Sequence, residues 1–125
     1  MNTNETIYTR TEMMLGEEAV ARLRSARVAV FGVGGVGSYA VEALARSGVG
    51  AITVVDADTV APSNINRQLV ADYSTMGRPK AEVMAERALR VNPIKATGEK
   101  LIPLLPFSLS PLPYWPGLFG AAPVT

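Results

Sequence analysis

Val28-Ala29-Val30-Phe31-Gly32-Val33-Gly34-Gly35-Val36-Gly37 is an apolar run that breaks into four glycines within six positions. Glycine takes positive φ without a side-chain clash and lets the backbone come close to a ligand, so such a break after a strand is suited to cradling phosphate. Ser38 to Ser47 then presents Tyr39, Val41, Leu44 and Ala45 among good helix formers, and Gly48 stops the helix as a C′ residue. Phosphates would sit on the N–H groups that open this helix. A second apolar run, Ile52-Thr53-Val54-Val55, reads as the next parallel strand and is closed by Asp56, nineteen positions after Gly37. That is the place of a ribose-binding acid.

Strand, turn, helix, strand and acid in this order predict an α/β fold: a Rossmann-like, doubly wound parallel sheet with a glycine-rich phosphate-binding turn. A plain tight βα turn would need fewer glycines. The chain has 125 residues, 48% of them hydrophobic, which is enough for one core and too few for two ordinary domains. Its formal charge of +1, with acids and bases interspersed, leaves no electrostatic footprint for nucleic acid or an anionic membrane. There is no cysteine and no histidine. Disulfides, thiolate metal sites, thioester or persulfide chemistry and a histidine base are therefore excluded from this chain. Met1 to Thr11 is polar, carries Glu5 and Arg10, and lacks the apolar core of a signal peptide. The expectation is a soluble cytoplasmic protein without a membrane span.

Residues 1–26 read as a loose arm, through about residue 11, and then a short helix opened by Gly16-Glu17-Glu18, with Ala19, Val20, Leu23 and Ala26 on its buried stripe. Residues 27–100 read as the nucleotide-binding region. Within it, Asp56 to Gln68 forms a loop beyond the carboxyl end of a strand, and Pro62 and Ser63-Asn64 predict a turn and an N-cap before a short helix through Leu69 and Val70. A longer helix is expected from Pro79, at N1, to Val91, with Ala81, Met84, Ala85, Ala88 and Leu89 inward and Asn92-Pro93 ending it. Lys80 falls in its first turn, against the helix dipole, and a bound anion would account for it. Two strands are evident, and two alone bury too little to be stable. Residues 101–125 carry six prolines among Leu, Phe, Tyr and Trp, with no charged residue, and read as a non-native or disordered tail, as after a shifted frame or a truncated gene.

Together, Gly32 to Ser38 (GVGGVGS), Asp56-Ala57-Asp58, Asn64-Ile65-Asn66-Arg67-Gln68 and Gly77-Arg78-Pro79-Lys80 resemble the adenylating superfamily that includes ThiF, MoeB and the ubiquitin-activating enzymes. Arg10-Thr11-Glu12-Met13, Glu42 to Gly50 and Lys80 to Arg87 are similar to the tRNA threonylcarbamoyladenosine dehydratase branch. The resemblance covers about residues 8 to 95. It implies a homodimeric enzyme using ATP and Mg, in which a carboxylate, here that of threonylcarbamoyl-adenosine in tRNA, attacks the α-phosphate and is then captured within the same molecule with net loss of water. Arginine, lysine and Mg would stabilise the charge on the phosphates.

Carried over by position, the resemblance implies that Gly32, Gly34, Gly35 and Gly37 cradle ATP and that Asp56 holds the ribose. Asn64, Arg67 and Lys80 would contact the phosphates, Arg67 and Lys80 as catalytic charges. Asn64 equally suits capping of the short helix, and Arg67 and Lys80 suit solvated charges. Asp58 reads as a loop-ordering acid. Arg10 resembles the arginine that members lend to a neighbouring subunit's ATP, although its spacing to the next helix departs from that pattern. Arg78, Arg87 and Arg90 face either RNA or solvent. The acid that holds Mg in the family lies downstream of the matched region, so the metal ligands are unknown and a nucleotide half-site is expected. Three other functions compete: adenylation of a ubiquitin-like sulfur-carrier protein, NAD-dependent oxidoreduction, and nucleotide binding without catalysis.

Overall fold

The computed structural model describes residues 4–99. The tail expected over residues 101–125 lies outside them. Three parallel strands, β1 (Arg27–Phe31), β2 (Ala51–Val55) and β3 (Lys95–Glu99), form one sheet in the order β1-β2-β3. Arg27 stands beside Ala51, and Ala51 beside Lys95. Two helices, labelled here α3 (Gly37–Ser47) and α4 (Lys80–Val91), make the crossovers.

Side chains alternate across a strand, and this sheet uses the alternation unequally. Val28, Val30, Ile52, Val54 and Ala96 turn toward α3 and α4 and join Val41, Ala45, Ala81, Met84 and Ala88 in one core. Arg27, Ala29 and Phe31 point the other way and are exposed, Phe31 by 67%. Parallel sheets are normally covered on both faces. Among the described residues one face is covered, so the α/β parallel architecture read from the sequence is present as its first half.

The two crossover helices are fastened together by polar groups as well as by packing. Arg87 donates to both carboxylate oxygens of Glu42, at 2.8 and 3.2 Å, and Arg46 donates from the next turn of α3 at 3.0 Å. Burial pushes the Glu42 carboxyl up, but the two arginines more than offset it and hold the group below its ordinary 4.5. Asn92, at the end of α4, is buried and donates to the Ala45 carbonyl at 3.0 Å, a second donor on an oxygen that the Gly48 N–H reaches at 3.2 Å.

Several expectations are corrected. The segment read as a loose arm to residue 11 contains a helix, α1 (Thr9–Leu15), which Gly16 at φ 85° separates from α2 (Glu17–Ser25). No residue of α1 is buried, so there was no apolar stripe to detect. The short helix through Leu69 and Val70 is absent: Pro62–Asn64 makes a 3₁₀ turn, and turns follow. Pro79 is the N-cap of α4 and Lys80 its first residue. Leu89 is exposed, and Val83 takes the inward position. β3 is a strand the sequence did not announce. Among the described residues, no helix is long and apolar enough to cross a membrane.

Candidate functional site

The glycine turn owes its shape to one positive φ and one contact that admits no side chain. Gly32 takes φ 88° while its N–H donates to the Val55 carbonyl at 2.7 Å, reversing the chain at the end of β1. A Cβ on Gly37 would collide with the carbonyl oxygen of Gly32, so the first turn of α3 folds directly back on the strand exit. Asp56, at the end of β2, accepts from the Val33 N–H on Oδ2 and from the Asp58 N–H on Oδ1, both at 2.8 Å. The acid therefore braces the turn before any ligand arrives. Each carboxylate oxygen keeps a lone pair for a further donor such as a sugar hydroxyl.

The N–H groups of Gly34, Gly35, Val36 and Gly37 meet no acceptor among the described residues. Four open donors at the start of an eleven-residue helix form an anion seat with the helix dipole behind it. Ser38 locks the seat from below. Fully buried, it donates to the Gly34 carbonyl and accepts from the Leu69 N–H at 3.2 Å, joining turn and loop. The sequence reading gave Ser38 no role, although its place directly after the glycines was the available signal.

The loop after β2 brings in the remaining groups. Asn64 is buried and its Oδ1 accepts from the Ala61 N–H at 2.9 Å, so it closes the 3₁₀ turn that it ends and does not cap the expected helix through Leu69 and Val70, which is absent. That bond fixes the amide and leaves the Nδ2 hydrogens without an acceptor among the described residues, which keeps the donor role open. Arg67 is exposed and lies across Gly35, its Cγ 3.7 Å from where a Cβ on that glycine would stand. One guanidinium nitrogen, Nη1, is anchored to the Ser63 carbonyl and Asn66 Oδ1, and the other donors are unengaged among the described residues. Gln68, also without an assigned role in the sequence reading, is buried beside Gly34.

Lys80 reaches the same end of the sheet from α4. Its N–H donates to the Asp58 carbonyl at 3.0 Å, and Thr59 and Pro79 form an antiparallel bridge, tying the start of α4 to the exit of β2. The residue is only 7% exposed, yet its ammonium has no ion pair or hydrogen bond among the described residues. Gly32, Gly34, Gly35, Gly37, Asp56, Asn64, Arg67 and Lys80 thus gather at the carboxyl ends of the strands, where α/β sheets bind ligands.

Arg10 is not brought there. It is exposed on α1, and Tyr8, two residues earlier, packs on Gly48 at the far end of α3, about 16 Å of helix from the glycine turn. Nor do the described residues supply a metal centre: none of them form a cluster of three or more metal-binding side chains. The open N–H groups and cations fit an anion, and Asp56 alone is too few ligands to hold Mg.

Known proteins resemble this chain in sequence and in shape. The tRNA threonylcarbamoyladenosine dehydratase of Bacillus subtilis (strain 168) is 52% identical over 86 residues, covering 69% of this chain and 34% of that protein. The molybdopterin-synthase adenylyltransferase of Salmonella typhimurium is 45% identical over 78 residues, 62% of this chain and 30% of that one. A solved structure of the E. coli tRNA N6-threonylcarbamoyladenosine dehydratase in complex with ATP matches with a TM-score of 0.70 at 46% identity, covering 73% of this chain and 37% of that one. The chain therefore spans about a third of the length of these relatives. Residues 8–98, which hold the glycine turn, the braced acid, the arginine loop and the buried lysine, match the ThiF family, and the chain belongs to it.

Proposed function

We propose that the chain supplies the nucleotide-binding half of an ATP-dependent adenylating enzyme whose substrate is the carboxylate of threonylcarbamoyl-adenosine in tRNA. Lys80 carries this reading. The residue is 7% exposed, so its stem is packed, while the ammonium keeps access to solvent and has no ion pair or hydrogen bond among the described residues; a triphosphate brought against the open N–H groups of the glycine turn would give it a partner. NAD would leave this cation and the free guanidinium donors of Arg67 with less to bind.

In this reaction a carboxylate oxygen attacks the α-phosphorus of ATP, the bond to the β-phosphate oxygen breaks, and pyrophosphate leaves with the electron pair. A nucleophile of the same modified nucleoside then attacks the acyl carbon and AMP departs, closing a ring with net loss of water. No protein nucleophile is required, in keeping with a chain that has neither cysteine nor histidine. The residues stabilise charge: the N–H groups of residues 34–37 hold the phosphates, Asn64 Nδ2 and Arg67 donate to their oxygens, Lys80 offsets the growing negative charge, and Asp56 receives the ribose. Magnesium enters this reading only as a counter-ion of ATP. Arg10, exposed and remote within its own chain, would serve a second copy's site in a homodimer. A cytoplasmic setting follows from a tRNA substrate.

The likeness to molybdopterin-synthase adenylyltransferase supports a second substrate, the carboxyl terminus of a sulfur-carrier protein. The test is a thermal melt of the full chain with ATP and Mg, or with NAD, followed by AMP release assays with modified tRNA and with a sulfur-carrier protein. A melt raised by ATP and not by NAD is expected, with weak or no AMP release from this half alone, and any release should come with tRNA and not with the sulfur-carrier protein. A rise with NAD and none with ATP would overturn the reading.

A further inference from the structure

Gln68 is 8% exposed, and its Oε1 is fully buried without a donor. Its Nε2 lies 3.6 Å from where a Cβ on Gly34 would stand, and it meets no acceptor among the described residues. The main chain around the residue is held independently of this amide. The Gln68 N–H donates to the Asn64 carbonyl at 2.9 Å, and the next N–H, of Leu69, goes to Ser38. An apolar side chain of the same length would fill the space equally well and would avoid burying an unpaired amide. The amide therefore earns its place through something outside the protein.

We propose that Gln68 is a nucleotide-binding residue whose Nε2 donates to a phosphate oxygen seated on the glycine turn. Phosphate oxygens only accept, and the donor end of this amide is the one beside Gly34. The open N–H groups of residues 34–37 mark the same spot as an anion seat from the opposite direction. Arg67, the preceding residue, lies over Gly35, so a neutral donor and a cationic donor from adjacent positions bracket the turn. The neutral donor adds direction without adding charge. This inference rests on the proposed ATP-dependent function.

The experiment compares Gln68→Met and Gln68→Glu with the unchanged full chain, measuring ATP and adenosine by competition against a fluorescent ATP analogue, together with the ligand-free melt. Gln68→Met should weaken ATP about ten- to a hundredfold, the range for a hydrogen bond to a charged group, leave adenosine unchanged, and not lower the ligand-free melting temperature. Gln68→Glu should weaken ATP further, because it sets a second acceptor against the phosphate. Unchanged ATP affinity in Gln68→Met would overturn the inference, as would equal losses for ATP and adenosine or a lowered ligand-free melt, both of which mark a packing role. If the unchanged chain binds no ATP at all, the adenylating function itself fails.

Discussion

Replacing Lys80 by methionine should weaken nucleotide binding and leave the ligand-free stability unchanged. The residue is 7% exposed, so its stem is packed and methionine keeps most of that packing, while the ammonium keeps access to solvent and has no ion pair or hydrogen bond among the described residues, so its removal breaks no bond of the ligand-free fold. ATP at a hundred times its Kd should stabilise the unchanged chain by about 2.7 kcal/mol. Losing one charged hydrogen bond, about 2 kcal/mol, weakens binding roughly thirtyfold, so at the same ATP concentration the variant gains only about 0.9 kcal/mol. The two proteins should then melt alike without ATP, and the variant should be less stable by about 1.8 kcal/mol with it. Calorimetric melts with and without ATP read both conditions. A variant that melts lower in both conditions and binds ATP unchanged would show Lys80 to be a packing residue and would remove the observation on which the proposed function rests.

Gly37→Ala should open the glycine turn, because the new methyl collides with the Gly32 carbonyl; loss of the Val33 to Asp56 bond alone would cost about 1.5–3 kcal/mol, read as a lowered melt with ATP binding abolished. Asp56→Asn should destabilise the ligand-free chain as well as weaken ATP, since an amide nitrogen then faces one of the two N–H groups the carboxylate now accepts; unchanged ligand-free stability would contradict the bracing role. Glu42 has a depressed folded-state pKa, so its tie to Arg87 contributes fully above the ordinary 4.5 and is lost as pH falls through the lower folded value. Glu42→Gln should therefore flatten the melting profile below about pH 4.5 by about 1 kcal/mol, and an acid limb unchanged from that of the parent chain would refute this.

What the sequence displayed plainly was whatever depends on local pattern. The glycines, the apolar runs at Val28–Phe31 and Ile52–Val55, and the stripe of α4 each state their structure within a few residues. β3 does not, because Lys95-Ala96-Thr97-Gly98-Glu99 has one apolar residue and its pairing partner is more than forty positions away. Gly98 there is a packing requirement, since a Cβ would press on the Ala81 carbonyl at 2.6 Å, and such crowding leaves no periodic trace. Helix α1 was hidden for the reverse reason: Met13, Met14 and Leu15 are apolar but exposed, so no buried stripe exists. In the site, residue identities were legible and their bonds were not. Asp56 was expected to await a ribose and is already bracing the turn; Asn64 was read as the cap of a helix that is absent, and its Oδ1 instead closes the 3₁₀ turn on Ala61. Ser38 and Gln68 were overlooked because their importance lies in being buried beside the turn, a three-dimensional property.

The glycine turn departs from β1, and β1 is an edge strand among the described residues. Asp56, the arginine loop and Lys80 all approach from the β2 side, so among the described residues the anion seat has a single wall. Mobile ions would reach an anion seated there directly. The attraction of Arg67 and Lys80 would then act across screened water, over a Debye length of about 30 Å at 0.01 M salt and about 10 Å at 0.1 M. Ionic strength, as much as shape, would set how long an anion stays in a crevice that the described residues wall on one side.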